Sequence, residues 1–152
     1  MLFRSNIVPA ATVSGDQFDA LIFPGGTGMA KNIFDYVMTG PECTVISDIE
    51  RLVREIIEAG KPLGAICIAS VMVAKVLQNM GRGGKVTGGC DKQITADIQS
   101  MGIETEQAGA GDIVVDEENK IVSTPAYVEA KSIKEAAEGI EKLVATVLQL
   151  IG

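Results

Sequence analysis

The stretch that decides the fold is KPLGAICIAS, residues 61–70. The apolar run from Pro62 to Ile66 has the length of a short buried strand, and the residues from Ile68 to Gln78 follow an apolar helical pattern. Cys67 therefore falls in the tight turn where a strand ends and a helix begins. In such a turn, called a nucleophile elbow, the side chain is presented at the end of the sheet.

Two interpretations of Cys67 follow from this position. The free N–H groups of a helix N-terminus favour an anionic thiolate, so the elbow predicts a reactive cysteine. A buried, inert core cysteine would give the same local pattern, because free cysteines are among the most buried residues in proteins. Residue spacing alone leaves both interpretations open.

The flanking segments predict an α/β fold with a mostly parallel sheet. Residues 19–24 form an apolar run that stops at a glycine turn, and residues 112–116 and 120–123 read as a hairpin. Helical periodicity predicts helices over 47–59, 68–78, 92–101 and 133–148, with capping boxes at Ser47 and Ser132. Alternating strands and helices of this kind are typical of one three-layer domain.

The composition excludes several classes of protein. The 152 residues carry a formal net charge of −7, which argues against nucleic acid or an anionic membrane surface as a partner. Their apolar stretches are too short to cross a bilayer, so we expect a cytoplasmic protein. The three cysteines lack the spacing of a zinc site, and the absence of histidine rules out a Cys-His catalytic unit built from these residues. We expect neither a metal nor a cofactor.

The first five residues, MLFRS, lead into no periodic pattern. They resemble a translated sequencing adaptor, which would make 6–152 the genuine domain. An ordinary disordered N-terminus is the alternative.

The glycine turn at residues 25–28 follows the first predicted strand. It lacks the lysine of a phosphate-binding loop and the glycine spacing of a dinucleotide site. Its better use is to offer backbone N–H groups to an oxyanion near Cys67, although it could serve chain reversal alone.

Several segments together resemble the ElbB-type branch of the ThiJ/PfpI superfamily, within the class I glutamine amidotransferase-like group. They are residues 19–26, 30–32, 60–69, 114–120 and 123–127, so the resemblance extends over most of the chain from about residue 17. It implies a flavodoxin-like three-layer fold and a glyoxalase without cofactor that converts glyoxal to glycolate, with protein deglycation as another description of that chemistry.

The resemblance also implies roles for individual residues. Cys67 matches the nucleophile, Gly25 and Gly26 the glycine pair beside it, and Thr124 a substrate-binding position. We expect the N–H groups of Gly26 and Ile68 to stabilise the oxyanion. The substrate would be a small aldehyde, and a homodimer is possible.

Two departures from the family pattern stand out. The first strand and helix of the family, and the glutamate that holds its cysteine, precede the matched region, and residues 6–17 offer no match. Cys90 replaces the usual residue before Asp91. We therefore expect the chain alone to be poorly folded and inactive. The competing class is a redox-sensing or accessory protein in which Cys67 is oxidised without turnover.

Overall fold

The computed structural model of the chain describes residues 7–151, so the suspected adaptor at 1–5 lies outside the described residues. The strands are β1 (Leu21–Phe23), β2 (Leu63–Ile66), β3 (Lys85–Val86), β4 (Glu104–Thr105), β5 (Val114–Asp116) and β6 (Ile121–Thr124). The helices are α1 (Met29–Asn32), α2 (Tyr36–Thr39), α3 (Ser47–Glu58), α4 (Ala69–Asn79), α5 (Lys92–Ser100) and α6 (Ile133–Leu150).

The main sheet has the strand order β1-β2-β6-β5. β1, β2 and β6 are parallel, and β5 pairs antiparallel with β6 through the predicted hairpin. β3 and β4 form a separate two-stranded parallel sheet. The mostly parallel α/β fold predicted from the sequence is confirmed.

Helices cover both faces of the main sheet. Leu63 and Ala65 of β2 pack with the buried sides of α3 and α4, whereas Ile66 packs with Leu143 and Val147 of α6. Successive side chains of a strand point to opposite faces, so one four-residue strand contributes to both cores. α4 is buried on most sides, as its all-round apolar sequence predicts.

One predicted helix cap is wrong and the other is confirmed. Ser47 is already helical, Ile46 is the N-cap, and no side chain caps α3. Glu50, the expected partner of Ser47, forms an ion pair with Arg54 one turn later. At α6, the Ser132 hydroxyl accepts the N–H of Glu135 as predicted.

The elements that the sequence did not predict are short. α1 and α2 have four residues each and β4 has two, so none spans enough residues to show a period. They matter because α1 and α2 lie between the glycine turn and α3, where they build one side of the site described next.

Candidate functional site

The site lies at the carboxyl ends of the parallel strands. Phe23 of β1 is in register with Ala65 of β2, and Ile66 of β2 with Thr124 of β6. The segments that follow these strands therefore meet at one edge of the sheet, where open α/β sheets bind their ligands. They carry the glycine turn, Cys67 and Tyr127.

Cys67 adopts a left-handed backbone conformation, with φ of +59°. Such a conformation costs a non-glycine residue roughly 1–3 kcal/mol and clusters at functional sites. The Cys67 N–H donates to the Thr124 carbonyl at 2.8 Å, and the Ser70 N–H donates to the Cys67 carbonyl at 3.2 Å. These two bonds fix the elbow, and α4 begins two residues after the cysteine.

The glycine turn passes directly against the elbow. A Cβ atom on Gly25 would lie 2.4 Å from the Ile66 carbonyl oxygen and 3.0 Å from the Cys67 Cβ, and the φ of Gly25 is +76°. A Cβ on Gly26 would meet nothing within 4 Å, although its φ is +92°. The close approach therefore belongs to Gly25, whereas Gly26 faces open space.

Two backbone donors are available beside Cys67. Across residues 7–151, the N–H groups of Gly26 and Ile68 have no hydrogen-bond acceptor. Ile68 precedes the first residue of α4, where unpaired N–H groups and the helix dipole attract negative charge. These are the two donors expected from the sequence to stabilise an oxyanion.

A cavity of about 400 Å³ opens next to these groups. Its lining combines the elbow and the glycine turn with side chains of α1, α2 and the turn after β6: Gly26, Thr27, Ala30, Tyr36, Val37, Cys67, Ile68, Tyr127 and Val128. Cys67 is half-buried in this wall. A thiol, two free N–H groups and a cavity thus share one place in the fold.

Tyr36 is held in the cavity wall by a polar contact behind it. Its hydroxyl donates to the Asp97 carboxylate at 2.6 Å, and Gln93 donates to the other carboxylate oxygen at 2.9 Å. Burial, together with this hydrogen bond, raises the pKa of Tyr36 well above its usual range. The phenol therefore stays neutral and engaged with α5.

Thr124 is bound to the elbow through its backbone, and its side chain lies outside the cavity wall. Its side chain is fully buried, its hydroxyl donates to the Asp112 carbonyl at 2.7 Å, and it does not line the cavity. Only its carbonyl, which accepts the Cys67 N–H, reaches the elbow. The substrate-binding role that the resemblance implies for Thr124 stays a prediction.

The other cysteines stand apart from the cavity. Cys43 is fully buried, and its burial raises the pKa of the thiol. Cys90 is exposed, its N–H donates to the Glu129 carboxylate, and it does not line the cavity. In the part of the chain that the structure describes, no group of His, Cys, Asp or Glu side chains could hold a metal ion.

The sequence missed the α2 side of the site. Tyr36 and Val37 belong to a four-residue helix far from the elbow in sequence, with no motif to mark them. Tyr127 was part of the family resemblance but was not assigned to the site. It lies in the turn Ala126–Val128, where Ala126 has a φ of +42°.

Curated proteins from vertebrates are similar to this chain. The Homo sapiens "Glutamine amidotransferase-like class 1 domain-containing protein 3, mitochondrial" is 37% identical over 158 residues, covering 98% of the chain and 58% of that protein. The Rattus norvegicus "ES1 protein homolog, mitochondrial" is 35% identical with the same coverage. These alignments include residues 6–17, for which the sequence offered no family match. The chain spans about 58% of the length of these relatives, and no family model matches it.

Solved structures share the fold. An isoprenoid biosynthesis protein with an amidotransferase-like domain from Ehrlichia chaffeensis superposes with a TM-score of 0.81 at 28% identity, covering 94% of this chain and 64% of that one. The Francisella tularensis Rapid Encystment Protein 24 kDa has a TM-score of 0.67 at 19% identity, covering 95% of this chain and 63% of its own, and shows the fold alone. Within residues 7–151, no helix is long and apolar enough to span a bilayer. The chain is thus similar to glutamine amidotransferase-like class 1 domain proteins and has a mostly parallel, flavodoxin-like α/β fold, which it shares with a protein that carries an amidotransferase-like domain.

Proposed function

We propose that this chain carries the thiol centre of a cofactor-independent glyoxalase, which converts glyoxal to glycolate and other small 2-oxoaldehydes to 2-hydroxy acids. The observation that supports it best is the left-handed Cys67, half-buried in a cavity wall beside the free N–H groups of Gly26 and Ile68. A nucleophile next to oriented backbone donors is the arrangement that addition to a carbonyl requires.

The proposed reaction has three steps. The Cys67 thiolate adds to the aldehyde carbon, and the N–H groups of Gly26 and Ile68 stabilise the oxyanion before it takes up a proton. A base then removes the proton from that carbon, and the neighbouring carbonyl carbon is protonated, which leaves a thioester. Water hydrolyses the thioester, so glyoxal and water yield glycolate and a proton while the thiol is regenerated.

The base for the second step is not among the cavity residues. No carboxylate lines the cavity in the described part of the chain. We propose that the base is the glutamate implied by the family resemblance, from a part of the protein beyond the portion of the relatives that this chain spans. General acid–base help of this kind is worth about 10²–10⁴-fold in rate. The chain alone should therefore turn over slowly or not at all.

Glycolate formation from glyoxal tests the proposal, in the chain and in an intact homologous protein. We expect the cysteine-to-serine change at the elbow, Cys67→Ser, to abolish glycolate formation by the intact protein. In this chain, the matched change Cys90→Ser should leave glycolate formation within twofold of the unaltered chain, because Cys90 does not line the cavity. Equal activity of Cys67→Ser and wild type would overturn the proposal.

A redox-sensing role is the second candidate. It is favoured by the position of Cys67, because a partly exposed thiol that lines an open cavity can be reached and oxidised by peroxide. Mass spectrometry after peroxide treatment, run beside the glycolate assay, separates the two candidates. Oxidation at Cys67 without glycolate from the intact protein would favour the sensor.

The cellular location and the oligomeric state stay predictions. We propose the cytoplasm and a homodimer, whereas the mammalian relatives have "mitochondrial" in their names. Cell fractionation and sedimentation of the intact protein test the two points separately.

A further inference from the structure

Residues 9–18, which we call the strap, precede β1 and lie against α3. The strap consists of two short 3-10 turns, Ala10–Thr12 and Gly15–Gln17, joined by two extended residues. Gly15 is its only buried residue, so its side chains contribute little to the core. A segment with few buried apolar contacts belongs to the part of a fold that opens at low free-energy cost.

Charged side chains of α3 hold the strap by its backbone. One nitrogen of the Arg51 guanidinium donates to the carbonyls of Ala10 and Val13, at 3.0 Å each. The Glu55 carboxylate accepts the Gly15 N–H at 2.6 Å, and its other oxygen accepts from Arg51 at 2.9 Å. That N–H, followed by Arg51, lowers the pKa of Glu55, so the carboxylate is ionised at neutral pH.

The other end of the strap is held beside the start of β2. The Lys61 ammonium donates to the carbonyls of Gly15 and Phe18, at 2.9 and 2.7 Å. Phe18 lies three residues before β1, and the N–H of Leu21, the first residue of β1, donates to the Pro62 carbonyl at 3.2 Å. Lys61 therefore ties the end of the strap to the chain segment with which β1 pairs.

β1 depends on this attachment because it is short and has one neighbour. It contains three residues, and within residues 7–151 it pairs with β2 alone. Phe23, its last residue, is two residues before Gly25, which lies against the elbow. Gly26 follows and offers its free N–H beside Cys67. A displacement of β1 would therefore carry this donor away from the thiol.

We infer that the strap opens and closes on α3 as a unit, and that its closure fixes β1 and keeps the Gly26 N–H beside the Cys67 thiol. Arg51 and Lys61 are thus positioning residues for the site, although neither lines the cavity. The strap is the element with two arrangements that such coupling between distant residues requires. The inference concerns the order of the site and is independent of aldehyde turnover.

Two arginines of α3 provide a matched pair of variants. Each forms an ion pair with a glutamate one turn away, and the exposed fractions of the side chains are 36% for Arg51 and 33% for Arg54. Within the described residues, Arg51 also bonds to the strap and Arg54 does not. Hydrogen exchange read by mass spectrometry compares the variants. In Arg51→Ala, the amides of the strap and of β1 should exchange about tenfold faster, because hydrogen bonds to charged groups contribute at least that much. Arg54→Ala should leave them unchanged.

Gly15 provides a steric variant that alters no charge. A Cβ atom there would lie 2.8 Å from the Glu55 Cβ, so Gly15→Ala should hold the strap open as Arg51→Ala does. Gly83→Ala is the control, because a Cβ at that position meets nothing within 4 Å. Neither glycine has a positive φ, so backbone strain does not distinguish the two variants.

Alkylation by iodoacetamide reports on the site itself. With the strap open, the Gly26 N–H is no longer held where it can bind the carbonyl oxygen of the reagent. Labelling of Cys67 should then slow by about two- to tenfold, the contribution of one hydrogen bond. Fully buried Cys43 should stay unlabelled while the core is intact.

Three results would overturn the inference. The first is faster exchange confined to the strap, with β1 amides and Cys67 labelling unchanged. The second is the same effect in Arg51→Ala and Arg54→Ala. The third is labelling of Cys43 as fast as that of Cys67, which would show that the strap supports the whole fold. None of these measurements involves an aldehyde, so the inference and the proposed glyoxalase can fail separately.

Discussion

Cys67 is held in a backbone conformation that is unusual for a cysteine. Cys67 has a φ of +59°, a conformation that glycine adopts freely and cysteine does not. The bond from its N–H to the Thr124 carbonyl and the short turn into α4 hold it there. In this conformation the thiol of Cys67 lines the cavity. Cys43 does not lie in such a turn, and its side chain is fully buried.

Alkylation should distinguish the three cysteines. With limiting iodoacetamide at neutral pH, we expect Cys67 to be labelled first, because its thiol lines a cavity beside unpaired N–H groups that can bind the carbonyl oxygen of the reagent. Cys43 should be labelled last, because burial raises the pKa of its thiol. Peptide mapping by mass spectrometry measures the order, with exposed Cys90 as the internal comparison. Faster labelling of Cys90 or Cys43 than of Cys67 would contradict the prediction.

Alanine at the two adjacent glycines should have unequal effects on stability. Both residues have positive φ, so each substitution costs roughly 1–2 kcal/mol of backbone strain. Gly25→Ala should lose considerably more, because its Cβ would overlap the Ile66 carbonyl, whereas that of Gly26→Ala meets open space. Chemical denaturation of both variants measures the difference. Equal losses would show that the backbone relaxes around position 25.

A larger side chain at position 26 should act on reactivity instead. Gly26 lines the cavity, so Gly26→Val adds bulk beside Cys67 and should slow its alkylation by N-phenyl-iodoacetamide. Gly28→Val is a suitable control, because a Cβ there also meets nothing within 4 Å and Gly28 does not line the cavity. The same slowing in both variants would argue against a steric role for position 26.

At the scale of elements, α2 and α5 are joined by the contact between Tyr36 and Asp97. Tyr36 is the first residue of α2, and Asp97 lies in α5 with only 8% of its surface exposed. Phe34 stacks on Tyr36, with 6.1 Å between the ring centroids. A helix of four residues has little stability of its own, so these contacts decide where α2 places Val37.

Removing the Tyr36 hydroxyl should therefore destabilise the chain. Tyr36→Phe leaves a buried carboxylate with one hydrogen-bond donor fewer, which costs about 1–3 kcal/mol. Tyr127→Phe is the matched control: Tyr127 is 62% exposed, and a change of about 0.5 kcal/mol or less is expected at the surface. Urea denaturation compares the two variants. Equal stabilities would mean that the Asp97 contact contributes nothing.

The same contact predicts a dependence on pH. The pKa of Tyr36 in the folded chain lies above its ordinary value of 10.0, so the neutral phenol is the form that folding favours. Its contribution to stability is complete below pH 10 and is lost as pH rises through the folded pKa. In a Tyr127→Phe variant, Tyr36 is the only tyrosine. We expect its phenolate absorbance to appear above pH 10 while the chain is folded and at about pH 10 in urea.

For the whole molecule, the β1 edge of the main sheet is the feature that we expect to promote association between chains. β1 pairs with β2 on one side and, within residues 7–151, with no strand on the other. Ile22 of β1 is 36% exposed. An uncovered apolar edge is a template for pairing with another chain.

We therefore expect residues 1–152, expressed alone, to give a poor soluble yield and to associate with increasing concentration. Ile22→Lys should reduce the association, because a charged side chain on an edge strand opposes pairing. Leu148→Lys, on the exposed side of α6, should not. Sedimentation velocity measures both. A wild-type chain that stays monomeric as its concentration rises would contradict the expectation.

Local sequence determined the α/β fold, the strand before Cys67, the helix after it and the glycine turn. Apolar periodicity and the glycines that end helices and strands are patterns of about ten residues. They can be recognised without knowing how the rest of the chain folds. A local pattern can also mislead, as the predicted cap at Ser47 shows. The pattern paired Ser47 with Glu50, but Glu50 forms an ion pair with Arg54 and no side chain caps α3.

Tertiary structure alone decided the character of the site. It assigned the close approach to Gly25 rather than Gly26, engaged the Thr124 hydroxyl away from the cavity, and placed Tyr36, Val37 and Tyr127 around the thiol. These residues come from three segments that meet only because β1, β2 and β6 end at one edge of the sheet. Contacts between distant segments depend on strand register and helix packing, which no local pattern encodes.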